Sequence, residues 1–386
     1  MAAPDASAAK PLLGLRILTI EQFGAGPYGT LYLADLGAEV IKVEHGEAGG
    51  DAARHGGPYL LGDNDSLYFQ GWHTNKKSVT LDLKSEDGQM AFRKLVRDAD
   101  AVVNNLRGDQ AAKLGLEYAA LKDVNPCVVC GHISAYGRDN ERAGRPGYDF
   151  LMQAEAGLMS MTGDPDGDPA RFGPSIIDFM TGMTLTVGLL SAVLRARETG
   201  VGGDVDTSLF EVALHQLNYS ATWYLNTGFK ATRQKRSSHL SATPSQTYRA
   251  KDGWIFVMCM TEKFWRAMAE EIGRPDLLQD SRFATMRLRT EHRAELTELL
   301  DAVFETRTME HWVERLGGLI PIGPVYDVDR ALDSPFVERI GMISDVPHPE
   351  LPSMRLLSNP LRFNGERPTQ KAGSALGADN DDILGS

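Results

Sequence analysis

Leu15-Arg16-Ile17-Leu18-Thr19-Ile20, then Gly24-Ala25-Gly26-Pro27-Tyr28-Gly29, then Glu39-Val40-Ile41-Lys42-Val43-Glu44 decide how the chain begins to fold. The first and last runs are short, apolar and β-prone, so they predict strands. Between them a helical pattern runs from Thr30 to Leu36 and is ended by Gly37-Ala38. This is a β-α-β unit. Its loop has the spacing Gly-x-Gly-x-x-Gly, and Glu44 stands where a ribose-binding acid falls in dinucleotide enzymes. Taken alone, that motif is a weak signal. Pro27 suits the first turn of a helix, but Tyr28 is bulky for a tight phosphate loop. A dinucleotide-dependent oxidoreductase is therefore the less favoured reading. What the short residues Gly24, Ala25 and Gly26 do permit is close approach of a ligand to backbone.

Length and composition narrow the setting. At 386 residues the chain exceeds one ordinary core, which predicts two domains. Its 42% hydrophobic and 24% charged residues are ordinary for a soluble globular protein. The net charge of −12 argues against non-specific nucleic-acid binding and against an anionic membrane surface. A polyanionic ligand would need a local basic patch. No run reaches the roughly 18 apolar residues of a membrane span. Met1 to Lys10 is Ala-rich, carries Asp5 and lacks the apolar centre of a secretory signal, so a disordered tail is expected. Three cysteines suggest a reducing compartment, and the expected location is cytoplasmic.

Outward from the opening unit, Gly49-Gly50-Asp51 and Arg54 form a polar loop, read as a local surface pair of little weight. Val79, Leu81 and Leu83 alternate as in a strand, behind Lys76 and Lys77, which would sit on a solvated edge and begin a basic patch. Asp87 to Asp98 reads as an amphipathic helix. Ala101-Val102-Val103 reads as a buried strand, so Asn105 and Arg107 stand at its carboxyl end, with Lys113 in a following helix. Cys127-Val128-Val129-Cys130 has redox spacing, but on a strand residues three apart face opposite sides, roughly 10 Å apart. A disulfide needs Cα atoms within about 7 Å, so these are core cysteines and no metal site is expected. Gly131 to Gly137 reads as the loop after that strand, with His132 structural. Met180 to Arg197 is apolar nearly all round and predicts a buried central helix.

Arg145-Pro146-Gly147-Tyr148-Asp149-Phe150-Leu151-Met152-Gln153-Ala154 places Asp149 just after a Pro-Gly turn, at a helix N-terminus. Free N–H groups and the helix dipole favour an ionised carboxylate there. A cap is the commoner role for such a residue; a positioned nucleophile is the other.

This segment, with Gly157-Leu158-Met159 and Thr162-Gly163, resembles the nucleophile segment of family III CoA-transferases, the CaiB/BaiF family of formyl-CoA and carnitine CoA-transferases. The likeness runs from about Leu12 to Phe363. It implies an α/β fold, a Rossmann-like large domain with a smaller α+β domain, in an interlocked homodimer. It implies transfer of CoA from an acyl-CoA to a carboxylic acid, with Asp149 as covalent catalyst and coenzyme A as substrate rather than resident cofactor. The resemblance brings the loop at Gly24 and Ala25, the segment with Ser134 and Tyr136, and Met183 to the CoA and acyl site; a basic and amide set of His45, Lys84, Asn105, Arg107 and Lys113 is expected to hold CoA, with Leu81 and Leu106 beside it. The family's Glu-Asn-Phe is here Asn104-Asn105-Leu106, which weakens adenine stacking at position 106. Arg236-Ser237-Ser238-His239-Leu240 departs from the family's glycine pattern, removing the basis for a glycine lid.

Domain one is expected at 1–224, a small domain at 225–318, and a return segment at 319–386 that completes domain one, with Ala372 to Ser386 frayed. Arg54 is a candidate partner for the second carboxylate of a dicarboxylate. Two other readings share the fold: an acyl-CoA racemase, disfavoured because Tyr148 stands where that group has a histidine base, and a non-catalytic acyl-CoA-binding scaffold.

Overall fold

The computed structural model describes residues 10–385. The expected disordered tail therefore lies, apart from Lys10, outside the described residues. Its first strands and helices alternate: β1 (Arg16–Ile20), α1 (Ala25–Asp35), β2 (Glu39–Glu44), α2 (Leu67–His73), β3 (Lys77–Thr80), α3 (Glu86–Val96), β4 (Ala101–Asn104), α4 (Tyr118–Leu121), β5 (Val129–Ser134), α5 (Asp149–Glu155), α6 (Ile176–Thr199), β6 (Gly203–Ser208) and α7 (Leu209–His215). The six strands form one parallel sheet in the order β3-β2-β1-β4-β5-β6. Central strands such as β4 are buried on both faces, which is why they read as apolar runs. One face carries α3, through Phe92, Leu95 and Val96. The other carries α6, whose Leu185 and Leu189 lie against Gly131 of β5. Strand order reverses between β1 and β4, so the loops after these two strands open a crevice at the carboxyl edge.

Helices α1 and α6 meet glycine to glycine. A Cβ on Gly182 would fall 2.3 Å from the Ala25 carbonyl oxygen, and one on Gly29 would fall 2.5 Å from that of Gly182. Only hydrogen at both positions lets the two backbones come this close. Helix α6 is not buried all round, as its composition suggested. One stripe, including Ile177, Leu185, Leu189 and Val193, is buried, while Val187 is 65% and Leu194 72% exposed. The helix is long and apolar enough to cross a membrane by composition alone, but its buried stripe is that of a helix laid on a sheet.

The smaller unit comprises Gly157–Phe172 and Asn218–Ser334. It holds α8 (Asn218–Thr227), β7 (Ser245–Ala250), β8 (Gly253–Met258), α9 (Glu262–Glu271), α10 (Met286–Glu291), α11 (Arg293–Phe304), α12 (Met309–Leu316), β9 (Ile322–Pro324) and α13 (Val328–Leu332). Its antiparallel sheet and helices enclose Tyr248, Trp265, Phe283, Phe304 and Trp312. Strand β9 pairs with β8. The unit therefore extends to Ser334, whereas the sequence suggested a return at 319.

The chain rejoins the large unit through α14 (Pro335–Arg339), β10 (Ile343–Asp345), β11 (Arg355–Leu357) and α15 (Asn380–Leu384). The end of the chain is not frayed across Ala372 to Leu384. Ser374 N donates to the Lys76 carbonyl, and the Asp379 and Asn380 side chains accept from Ser78 N and Thr80 N. Ile383 and Leu384 pack on the sheet core. The tail thus covers β3, an edge strand whose unpaired donors would otherwise face water.

Candidate active site

The crevice at the sheet's carboxyl edge holds two cavities that meet at Gln22 and Leu106. One, of about 310 Å3, is lined by His45, Leu81 and Lys84 together with Glu44 and Asp82. The other, of about 270 Å3, is lined by Gly24, Ala25, Asn105, Arg107, Ser134, Tyr148 and Asp178. The expected contact residues Gly24, Ala25, His45, Leu81, Lys84, Asn105, Leu106, Arg107 and Ser134 are therefore brought together at one edge. Lys113, Tyr136 and Met183 line neither cavity. Lys113 lies in a run of turns rather than a helix, bound to Asp109 at 2.5 Å, and Arg107 lies 3.5 Å from the same carboxylate. The Tyr136 hydroxyl donates to Glu155. The segment from Gly131 to Ser134, expected as loop, is the body of β5. Within it His132 is buried between Asn104 and Asp204, a structural role. Cys127 precedes the strand, and it, Cys130 and Cys259 are free thiols.

The loop after β1 is pinned from both sides. Gln22 N donates to Asn105 Oδ1 at 2.8 Å, and Asn105 Nδ2 donates back to the Gln22 carbonyl at 2.6 Å. Phe23 N donates to Asp51 Oδ1 at 3.2 Å. This holds Phe23 at φ +55°, a conformation that costs a bulky residue energy and persists only where surroundings enforce it. Its ring meets Tyr148 edge-on at 6.3 Å.

Beneath the loop lies a buried charge network that the sequence did not disclose. Lys42 Nζ pairs with Asp51 Oδ2 at 2.9 Å and donates to the Glu21 carbonyl. Lys76 Nζ pairs with Glu21 at 2.8 Å, so it begins no exposed basic patch, and Lys77 is bound to Glu39. Burial pushes the Lys76 ammonium down to about 8 even with Glu21 beside it. Arg54 is fully buried and grips Glu44 with two bonds of 2.9 and 2.8 Å. It is not available for a substrate carboxylate. Burial would raise the Glu44 acid, but Arg54 and Lys42 outweigh this and hold it at about 2. Asp51 and Arg54 are thus scaffolding for the cavity loop rather than a surface pair.

Asp149 opens α5, is 2% exposed and lines neither cavity; Gly147 and Tyr148, which precede it, line the second. Its Oδ2 accepts from the backbone N–H groups of Ile177 at 2.5 Å and Asp178 at 3.0 Å, the first turn of α6. Its Oδ1 accepts from Gln153 Nε2 at 2.5 Å. The carboxylate therefore sits on the positive end of a 24-residue helix. Asp178 itself, which no motif singled out, faces the second cavity. Burial, with Asp149 adding to it, pushes its acid up to about 7. The one signal in the sequence was its place in the first turn of a long apolar helix.

The chain matches CoA-transferase family III over residues 12–380. It is 34% identical to an acyl-CoA transferase of Fusarium pseudograminearum, over 87% of this chain and 75% of that one. It is 30% identical to the succinyl-CoA:glutarate CoA-transferase of Mus musculus, over 93% of this chain and 82% of that one. Among solved structures, a CAIB/BAIF family protein from Brucella suis superposes with a TM-score of 0.83 and 31% identity, covering 97% of this chain and 98% of that one.

Proposed function

The chain belongs to CoA-transferase family III and moves CoA between acyl-CoA and carboxylic acids, and on that premise we propose that Asp149 is the nucleophile that carries the CoA. The observation behind this is its buried carboxylate, fixed by three hydrogen bonds at the start of α6, in the residue that follows the cavity-lining Gly147 and Tyr148. Oδ1, with a single donor, attacks the thioester carbonyl carbon of the donor. The C–S bond breaks, leaving CoA thiolate and a mixed anhydride. The thiolate then attacks Asp149 Cγ, and the donor acid leaves as carboxylate. The acceptor carboxylate attacks the resulting aspartyl-CoA thioester, the thiolate returns to the new acyl carbon, and Asp149 is regenerated. No water enters, so the thioester's free energy is kept.

Each attack at Cγ puts negative charge on Oδ2. That oxygen already rests on the N–H groups of Ile177 and Asp178, which serve as its oxyanion hole. Oxyanions on the acyl group are served by the N–H groups of Ala25 and Gly26, which open α1 beside the same cavity. His45, Lys84 and Arg107 lie along the route CoA takes, and Asn105 acts by holding Gln22. Dicarboxylic acids are the preferred acceptors, on the strength of the succinyl-CoA:glutarate relative. The enzyme works as a homodimer in the cytoplasm, a reading supported by the apolar outer face of α6 and by the free thiols.

The test is a trap. Incubated with succinyl-CoA and no acceptor, the protein is expected to gain the mass of CoA on the Pro146 to Met159 peptide, removable by hydroxylamine. Asp149→Ala is expected to lose both the adduct and at least 1000-fold in transfer. Turnover of that variant within tenfold of wild type would sink the mechanism.

A further inference from the structure

We propose that the C-terminal segment from Ser374 to Asn380 is a positioning element for coenzyme A: it lines neither cavity, yet it holds both walls of the first one in place. This rests on the reading above that CoA runs past His45 and Lys84. One wall of that cavity is the loop after β2, with Ala48, Gly50 and Asp51. The other is the turn after β3, with Leu81, Asp82 and Lys84. Leu81 N donates to the Glu44 carbonyl at 2.9 Å, so the walls are joined where they leave the sheet. The segment grips each of them at that point.

The grip on β3 uses side chains as well as backbone. Asp379 Oδ2 accepts from Ser78 N at 2.8 Å, and Asp379 N donates to the Ser78 carbonyl at 3.0 Å. Asn380 Oδ1 accepts from Thr80 N, and Asn380 Nδ2 donates to Thr80 Oγ1, both at 2.8 Å. Thr80 is the last residue of β3, so this pair fixes the point from which Leu81 to Lys84 depart. Thr80 also packs against the loop after β2, where a Cβ on Gly46 would fall 3.2 Å from Thr80 Cβ.

The grip on the loop after β2 passes through a buried acid. Gly377 N donates to Ser78 Oγ at 3.0 Å, which directs the hydroxyl hydrogen to Glu44 Oε2 at 2.6 Å. Glu44 Oε1 in turn accepts from Asp51 N and Arg54 Nε, and Arg54 also donates to the Ser374 carbonyl at 3.2 Å. Gly50 holds φ +77°, and Leu376 fills the space beside it: a Cβ there would fall 2.8 Å from Leu376 Cδ1. With the segment undocked, Ser78 N and Thr80 N lose their acceptors and Glu44 loses the orientation of one donor. CoA would then have to order both walls itself, which lowers its affinity. Linkage makes the effect mutual: whatever docking of the segment adds to CoA affinity, bound CoA adds to docking.

The measurement is binding of coenzyme A to the full chain by calorimetry, with amide hydrogen exchange followed on the same sample. In the wild type, saturating CoA is expected to slow exchange at Gly377, Asp379 and Asn380 about tenfold, although none of them lines the cavity. Asn380→Ala and Leu376→Ala should each raise Kd for CoA about tenfold. Asn380→Asp, whose second oxygen can accept from Thr80 Oγ1, should recover most of that loss. KM for succinyl-CoA should rise with Kd while kcat changes less, because Asn105 still pins Gln22. A purely structural tail would act otherwise: it would lower the melting temperature and the active fraction, hence kcat, and leave Kd unmoved. Alanine variants that are folded and bind CoA as the wild type does overturn the proposal. So does exchange in the segment that is indifferent to CoA, a result that needs no variant to fold. Lys84→Ala tests the premise separately. If it raises Kd and the segment variants do not, the role of the segment alone is refuted; if none of them moves Kd, CoA does not occupy this cavity and both readings fall.

Discussion

Arg54 shows what a single residue's surroundings decide. Its place in a Gly-Asp-x-x-Arg loop suggested either a surface pair or a grip on substrate, yet it is fully buried and doubly bonded to Glu44. Glu44 in turn accepts from Ser78 and from Asp51 N, so the pair anchors the loop that positions Phe23. Removing one partner leaves a buried charge uncompensated. Arg54→Ala is expected to lose about 3–5 kcal/mol of stability in urea unfolding. Arg54→Lys, which cannot form the two-pronged contact, should lose less but still measurably. If Arg54 instead bound substrate, both variants would fold normally and raise KM for the acceptor acid. Asp149 and Asp178 differ in the same way: each is an acid in a first helical turn, but only Asp149 receives backbone N–H bonds.

Among the elements, α6 carries the most. Its N-terminus holds Asp149, its first turn carries Asp178, and its middle rests on α1 at Gly29 and Gly182. The atoms that a side chain at Gly182 would meet are backbone, which cannot rotate away. Gly182→Val is therefore expected to push the two helices apart, costing about 1–3 kcal/mol in stability as overpacking does. Because Ile177 N and Asp178 N move with the helix, transfer activity should fall by more than the melting shift alone explains. Recovery of full turnover at a temperature where the variant is folded would show that the helix N-terminus is not part of the machinery.

For the whole molecule, Val187 and Leu194 stand two turns apart on the outer face of α6, both more than half exposed. Large apolar side chains in such a row mark a surface meant to be covered, and a second copy of the chain is the occupant proposed above. Light scattering at micromolar concentration should give the dimer mass. Val187→Lys combined with Leu194→Lys should lower it or sharply raise the tendency to aggregate. A wild-type chain of monomer mass would contradict the assembly.

Local chemistry made much of this protein legible in advance. The β-α-β opening, the buried strands at 39–44 and 101–103, and Asp149 at a helix start all follow from periodicity, turn residues and N-terminal capping, which act over a few positions. Resemblance extended the same reading to the reaction. Tertiary structure alone decided what depends on residues far apart in the chain. Lys76 reads as a solvated edge charge until Glu21, 55 positions away, is found beside it. Ala372 to Leu384 reads as a loose end until β3 offers it unpaired donors. Asp178 is one polar residue in an apolar helix until the fold sets it against Gly24 and Asp149. Burial and Coulomb energies grow where water is excluded, and which groups lose their water is settled only when the chain has closed over them.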